Sequence, residues 1–353
     1  MKIGILTFHR AHNYGAVLQA YALQEILYSK GQEVEFIDYS NPVLMRIYKW
    51  FNIRRYIRRD LNALFHELII AYARKKRYDH FESFIKKYIN VSPIKYNLSS
   101  YDLVIIGSDQ VWNTKLTCGY DKMYWGDFPH SDSLKIASYA ASMEKDIKND
   151  EETNISRLLK NFNYISVREK SLANNLSKLT DKTIFVVSDP TLLLKKERWE
   201  DLTKRNYQYG KYVLLYQVRN DSKAELIAQK VAEHLGLNLI YLSARIDLKN
   251  SREAVSSGPI EFLSLFKNAS FVVCTSFHGT VFSTIFNIPF YSVLLNDGKD
   301  TRVKDLLASL NLNGRGISSV KDMHFEAIDW NNVNKRLEGL RKKSIDYIDL
   351  ICQ

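Results

Sequence analysis

In Ser270-Phe-Val-Val-Cys-Thr-Ser-Phe-His-Gly-Thr-Val-Phe-Ser-Thr-Ile-Phe-Asn-Ile-Pro-Phe290 a short apolar run, a polar turn and an apolar helical pattern follow one another without a gap. Phe271–Cys274 is β-branched and aromatic, the composition of a buried strand. The chain then turns through Thr275, Ser276, Phe277, His278 and Gly279 and enters a helix, about Thr280–Phe286, that stops before Pro289. A strand that hands over to a helix start gathers free backbone N–H groups and the positive end of a helix dipole, a setting that favours an anion. His278 adds a group able to give or take a proton near neutral pH. An anion-handling site on an α/β scaffold is the expectation.

The same alternation runs outward in both directions. Strand patterns lie at Lys2–Phe8, Glu33–Tyr39, Asp102–Ile106, Lys135–Tyr139, Tyr164–Val167 and Thr183–Val187, with a helix at about Gly15–Ser29. After Pro190 a charged stretch, Lys195–Lys211, reads as a linker. The pattern then restarts with strands at Tyr212–Val218, Asn238–Ser243, Phe271–Cys274 and Phe290–Leu295 and helices at Lys223–Leu235 and Ile260–Asn268. Such alternation predicts α/β architecture, with two Rossmann-like, doubly wound parallel-sheet domains facing a cleft at the carboxyl ends of their strands. The expected divisions are 1–195, 210–330 and a C-terminal helix within 331–353.

With 353 residues, 46% hydrophobic and 25% charged, the chain can bury a sizeable core. A net charge of +11 calls for an anionic partner. Cys118, Cys274 and Cys352 are far apart, so neither a disulfide framework nor a thiolate metal site follows, and a reducing compartment is expected. No apolar run reaches spanning length, and the start of the chain reads as a strand and not as a signal peptide. The expected location is the cytoplasm, with peripheral contact at the inner face of the membrane. That contact falls to an insert at about 45–90. It carries Arg54, Arg55, Arg58, Arg59 and Arg74-Lys-Lys-Arg77 among Tyr48, Trp50, Phe51, Tyr56, Phe65, Tyr72 and Phe81. It reads either as helices with a solvated basic face or as a surface for anionic headgroups. No nucleic-acid module accompanies it.

Several side chains are candidates for chemistry. Ser276 either caps the helix or bonds a phosphate. Arg168 follows the Tyr164–Val167 strand, as a clamp for a carboxylate or phosphate or as the partner of Glu169 or another acid. Asp189 ends the next strand, where it holds an arginine in place or binds a hydroxyl, the first reading being preferred. Gly107-Ser-Asp-Gln-Val-Trp-Asn113 resembles a sugar-contacting loop, through Asp109, Trp112 and Asn113, although a structural turn looks the same. Asn13-Tyr14-Gly15 opens the first helix, where glycine permits close approach. No P-loop, dinucleotide fingerprint, H-E-x-x-H, G-x-S-x-G or D-x-D pattern occurs, so no cofactor and no metal are expected.

Taken in order, Asn13-Tyr-Gly-Ala-Val-Leu-Gln-Ala-Tyr-Ala-Leu-Gln24, Gly107-Ser-Asp-Gln-Val-Trp112, Ser138-Tyr-Ala-Ala-Ser142, Ser166-Val-Arg-Glu-Lys-Ser171, Ser188-Asp-Pro-Thr191 and Thr275-Ser-Phe-His-Gly-Thr280 resemble the polysaccharide pyruvyl transferase family. The resemblance implies a GT-B-like pair of domains and transfer of a pyruvyl group from phosphoenolpyruvate onto two hydroxyls of a sugar, forming a ketal. By that similarity His278 matches the catalytic histidine and Arg168 an arginine of donor binding. The expected donor site is Arg168, Ser276, Phe277, Gly279 and Thr280; the expected acceptor site is Asn13, Tyr14, Gly15, Asp109, Trp112 and Asn113. The acceptor would be a cell-surface polysaccharide or its lipid-linked precursor. The insert at 45–90 matches no family motif. Two other readings stand beside this one: a glycosyltransferase of the same architecture using a nucleotide sugar, and a non-catalytic protein that binds anionic glycan or lipid.

Overall fold

A computed structural model describes residues 1–47, 61–93, 98–143, 147–203, 209–218, 220–243, 254, 256–296, 298 and 300–353. Six strands build the first half of the fold. β1 (Lys2–Leu6), β2 (Glu33–Phe36), β3 (Leu103–Ile106) and β4 (Lys135–Ser138) form a parallel sheet in the order β2-β1-β3-β4. β5 (Ile165–Val167) and β6 (Ile184–Val186) pair in parallel beside it, joined to the β4 segment by the bridges Ala137–Tyr164 and Ala141–Val167. A second sheet holds β7 (Tyr212–Gln217), β8 (Asn238–Ser243), β9 (Phe271–Cys274), β10 (Phe290–Val293) and β11 (Gly316–Ile317), ordered β11-β10-β9-β7-β8 and parallel throughout. Strands such as Leu103–Ile106 and Phe271–Cys274 are buried on both faces, which explains their unbroken apolar sequence. The α/β expectation with two parallel sheets holds.

The helix Tyr14–Ser29 joins the two halves. It is buried on nearly every face, and its sequence accordingly lacks a polar stripe. Tyr14 stacks on Phe262 of the helix Pro259–Asn268, with ring centroids 4.4 Å apart, and its hydroxyl donates to the Ser257 carbonyl at 2.8 Å. One apolar core therefore runs from Ile3 and Ile5 through Leu23 to Leu214, Val272 and Phe282. The last helix, Trp330–Ile351, returns to the first sheet, where the Tyr347 hydroxyl donates to the Ser138 carbonyl at 2.7 Å.

Two expectations change. The stretch read as a linker contains the helix Lys196–Glu200, whose Trp199 is fully buried and whose indole N–H donates to the Thr191 carbonyl; one buried indole outweighs a charged composition. In the basic insert, the helix Leu61–Tyr88 sends Arg77 inward. That guanidinium lies 4.9 Å from the Tyr14 ring and donates to the Ser243 carbonyl, while Phe81 is fully buried. This part of the insert braces the two halves. Arg54, Arg55, Arg58 and Arg59, on which the headgroup reading rests, lie outside the described residues. No helix among the described residues is long and apolar enough to cross a membrane.

Candidate active site

The carboxyl ends of both sheets face a shared cavity of about 330 Å³. The loops after β1 and β3 contribute Asn13, Asp109 and Gln110; the strand ends of the second sheet contribute Thr275, Ser276 and His278. This is where open parallel sheets hold ligands, since the helix starts that follow the strands aim their dipoles there.

His278 stands in the first turn of the helix Phe277–Ile285. That helix begins three residues earlier than the sequence pattern implied, because Ser276 caps it: the Gly279 N–H donates to Ser276 Oγ at 3.0 Å. Nε2 of His278 lies 3.6 Å from Asp189 Oδ2, and the same oxygen is 3.0 Å from Arg168 Nη2. Arg168 Nη2 also donates to the Ser108 carbonyl at 2.7 Å. Thr191 fixes the other carboxylate oxygen, through its backbone N–H at 3.0 Å and its hydroxyl at 2.5 Å. The line Arg168–Asp189–His278 thus ties the ends of β5, β6 and β9 together. Burial opposes ionisation of Asp189, but Arg168 and then His278 outweigh it and hold the carboxyl well below the usual aspartate range. A fixed carboxylate beside an imidazole orients the ring.

Two glycines make this geometry fit. A Cβ on Gly15 would sit 2.1 Å from His278 Nδ1, so the first helix can approach the ring only with glycine there. Gly107 has φ of +117°, and a Cβ on it would meet the Tyr139 carbonyl oxygen at 2.3 Å.

The signature of the polysaccharide pyruvyl transferase family matches residues 13–297. The chain belongs to this family. Among curated proteins none matches it significantly. Solved structures of similar trace include the UDP-GlcNAc 2-epimerase of Methanocaldococcus jannaschii in complex with UDP-GlcNAc and UDP, at 13% identity over all of this chain and 99% of that chain, with a TM-score of 0.48. They also include the UDP-GlcNAc 2-epimerase of Neisseria meningitidis bound to UDP-GlcNAc, at 9% identity over 99% and 98% of the two chains (TM-score 0.47). The E. coli heptosyltransferase WaaC with ADP is matched at 12% identity over 97% and 100% (TM-score 0.38).

Of the residues read from the sequence, Asn13, Asp109, Ser276, Phe277 and His278 border the cavity. Others do not. Gly279 packs on Cys274, where a Cβ would stand 2.6 Å from the cysteine Cβ, and Thr280 is fully buried with its hydroxyl 2.7 Å from that of Ser292. They shape the turn from behind. Tyr14 is buried in the contact between the two halves. Trp112 is fully buried, stacked on Trp125 at 4.6 Å with its indole N–H donating to the Tyr124 carbonyl, so no ring face is open to a sugar. Asn113 is also buried and caps the turn Thr114–Thr117 by accepting from the Lys115 N–H. The structural reading of that loop therefore applies to Trp112 and Asn113. Arg168 likewise takes the acid-paired alternative, its partner being Asp189 and not Glu169.

Sequence reasoning missed Arg302. It precedes no strand pattern and lies beyond the family match, in the first turn of the helix Thr301–Ser309 after β10. Its guanidinium lies 5.8 Å from the centre of the Phe277 ring, that of Arg168 lies 5.3 Å from the same ring, and Arg302 borders the cavity. Glu169 Oε1, 4.0 Å from Arg302 Nε, accepts from Ser142 Oγ at 2.5 Å. Burial raises the Glu169 carboxyl against the opposing pull of Arg168 and Arg302. The one local signal was Asp300-Thr-Arg302 set just before an apolar spacing at Val303, Leu306 and Leu307.

Proposed function

We propose that this chain transfers the pyruvyl group of phosphoenolpyruvate to two hydroxyls of one sugar, in a cell-surface polysaccharide or its lipid-linked precursor. The observation that carries the reading is a single imidazole, backed by a buried carboxylate–guanidinium pair and set in a helix first turn, beside a cavity that also holds Arg302. At about 330 Å³ the cavity belongs to the small end of ligand sites. The second half of the fold is the donor side; the residues around Asn13 and Asp109 in the first half form the acceptor side.

The donor is a dense anion, and the first-turn amides with Arg302 suit its carboxylate and phosphate. Protonated His278 gives a proton to the methylene carbon C3, which makes C2 electrophilic. A sugar hydroxyl oxygen bonds to C2, and the C2–O bond to phosphate breaks as the second hydroxyl closes the ring. One hydroxyl proton restores His278 and the other leaves with the phosphate, so the products are the ketal and hydrogen phosphate. Asp189 compensates the imidazolium during the wait for donor, and Arg168 holds Asp189.

Thermal stabilisation by phosphoenolpyruvate, with none by UDP-sugars, is the expected result; the reverse pattern would sink the reading in favour of a nucleotide-sugar enzyme. Arg302→Gln should raise the KM for phosphoenolpyruvate by about tenfold or more, the loss of one charge-assisted contact. An unchanged KM would remove Arg302 from donor binding. Gly15→Ala should lower kcat on the order of a hundredfold by pushing the ring aside, although alanine suits a helix better than glycine. Full activity in that variant would show that the ring tolerates the displacement.

A further inference from the structure

Arg302 belongs to the second half of the fold, yet the first half reaches across to hold it. The side-chain amide of Gln110, on the loop after β3, lies 2.6 Å from Arg302 Nη2 and 3.3 Å from Nη1. A guanidinium only donates, so the amide oxygen is the atom assigned to face it. The other end of that amide packs against the side chain of Asn113 at 2.6 Å. Glu169, after β5, stands 4.0 Å from Arg302 Nε. Gln110 and Arg302 both border the reaction cavity, and both are half-buried there.

The chemistry of this pair says what the contact does. An unheld arginine side chain samples many rotamers and loses that freedom when it grips an anion. Held by an oxygen beforehand, it loses less, and the same anion binds more tightly. A second carboxylate here, beside Glu169, would hold the guanidinium as firmly but would cancel its charge toward an anionic ligand. The neutral amide oxygen of Gln110 holds the group and leaves its charge. The Gln110 N–H donates to Asp109 Oδ1 at 2.7 Å, so one turn carries both an acceptor-side carboxylate and the holder of Arg302.

The geometry points to Gln110 as a positioning residue that holds Arg302 across the cleft in the pose that takes the anionic donor. The identity of that donor rests on the transfer reading. The contact between the two side chains does not, so the test measures contact and donor affinity separately.

Gln110→Met keeps the reach of the side chain and removes its oxygen. The first measurement labels the full chain with phenylglyoxal, without substrate, and reads Arg302 by peptide mass spectrometry against the other arginines. Arg302, whose side chain is 20% exposed, should react about threefold faster or more in the variant, having lost a hydrogen-bond partner. The second is steady-state kinetics. Gln110→Met should raise the KM for phosphoenolpyruvate about fivefold and leave kcat within about twofold of wild type. Combined with Arg302→Gln it should add nothing, because no guanidinium is left to position. Unchanged labelling of Arg302 would overturn the contact. Faster labelling with an unchanged KM would overturn the donor role while the contact stands, and the fault would lie with the transfer reading. A fall in kcat at constant KM, or a double variant worse than Arg302→Gln alone, would show that Gln110 acts by another route than Arg302 and would overturn the inference.

Discussion

Replacing His278 by Gln is expected to lower kcat by about 10²-fold or more, with the unfolding transition left near that of wild type. The imidazole borders the cavity, where it can deliver a proton and be restored by a hydroxyl proton, and the carboxylate of Asp189, 3.6 Å behind it, compensates the charge it carries. Glutamine keeps a polar side chain of similar reach in the first helical turn, but it cannot exchange a proton at neutral pH. The substitution strands no buried charge, because Asp189 keeps Arg168 at 3.0 Å and the two donors of Thr191. Stability should therefore hold while chemistry fails. Phosphoenolpyruvate should still stabilise the variant against heat, since the backbone amides and Arg302 are untouched. Turnover close to wild type would take His278 out of the mechanism. Loss of donor binding together with turnover would make it a binding residue and assign the proton to another group.

The elements legible from sequence were those whose physics is local. Phe271–Cys274 is read to the residue because a strand buried on both faces has a compact apolar signature, and the half-buried Asn238–Ser243 is read to the residue from its apolar run. Ser276 was recognisable as a cap because capping depends on side-chain reach alone. Asp189 was legible as the holder of an arginine, yet its second partner, His278, is brought to it only by the packing of one sheet against the other. Trp112 and Asn113 failed for the converse reason. A polar loop with a tryptophan looks the same whether it faces a ligand or the core, and only Trp125 and the Tyr124 carbonyl decide that it faces inward. Arg302 left almost no trace, since its meaning comes from a helix start that neighbours Phe277 in space and not in sequence. Gly15 could be read as permitting close approach, but what approaches it, the His278 ring, belongs to the other half of the fold.

Asp189→Asn should cost about 3–5 kcal/mol of folding stability, because it leaves Arg168 buried without its counter-charge. Both side chains are out of solvent, at 4% and 0% exposed, so screening does little to soften the loss. The effect has a definite pH signature. Folding depresses the Asp189 pKa, so its contribution is present above the ordinary aspartate value of about 3.9 and is lost as pH falls through that value toward the folded one. Wild type should therefore lose stability between about pH 5 and pH 3, whereas Asp189→Asn starts lower and declines less over the same interval. Denaturant unfolding of both proteins across that range makes the comparison. Parallel curves would mean that other carboxylates carry the acid sensitivity and that the Arg168–Asp189 pair is energetically idle. The variant should also lose about tenfold or more in kcat, since the asparagine can orient the ring but not compensate the charge that passes through it in the reaction. A full loss of stability with unaltered kcat per folded molecule would confine Asp189 to structure and leave His278 to act without it.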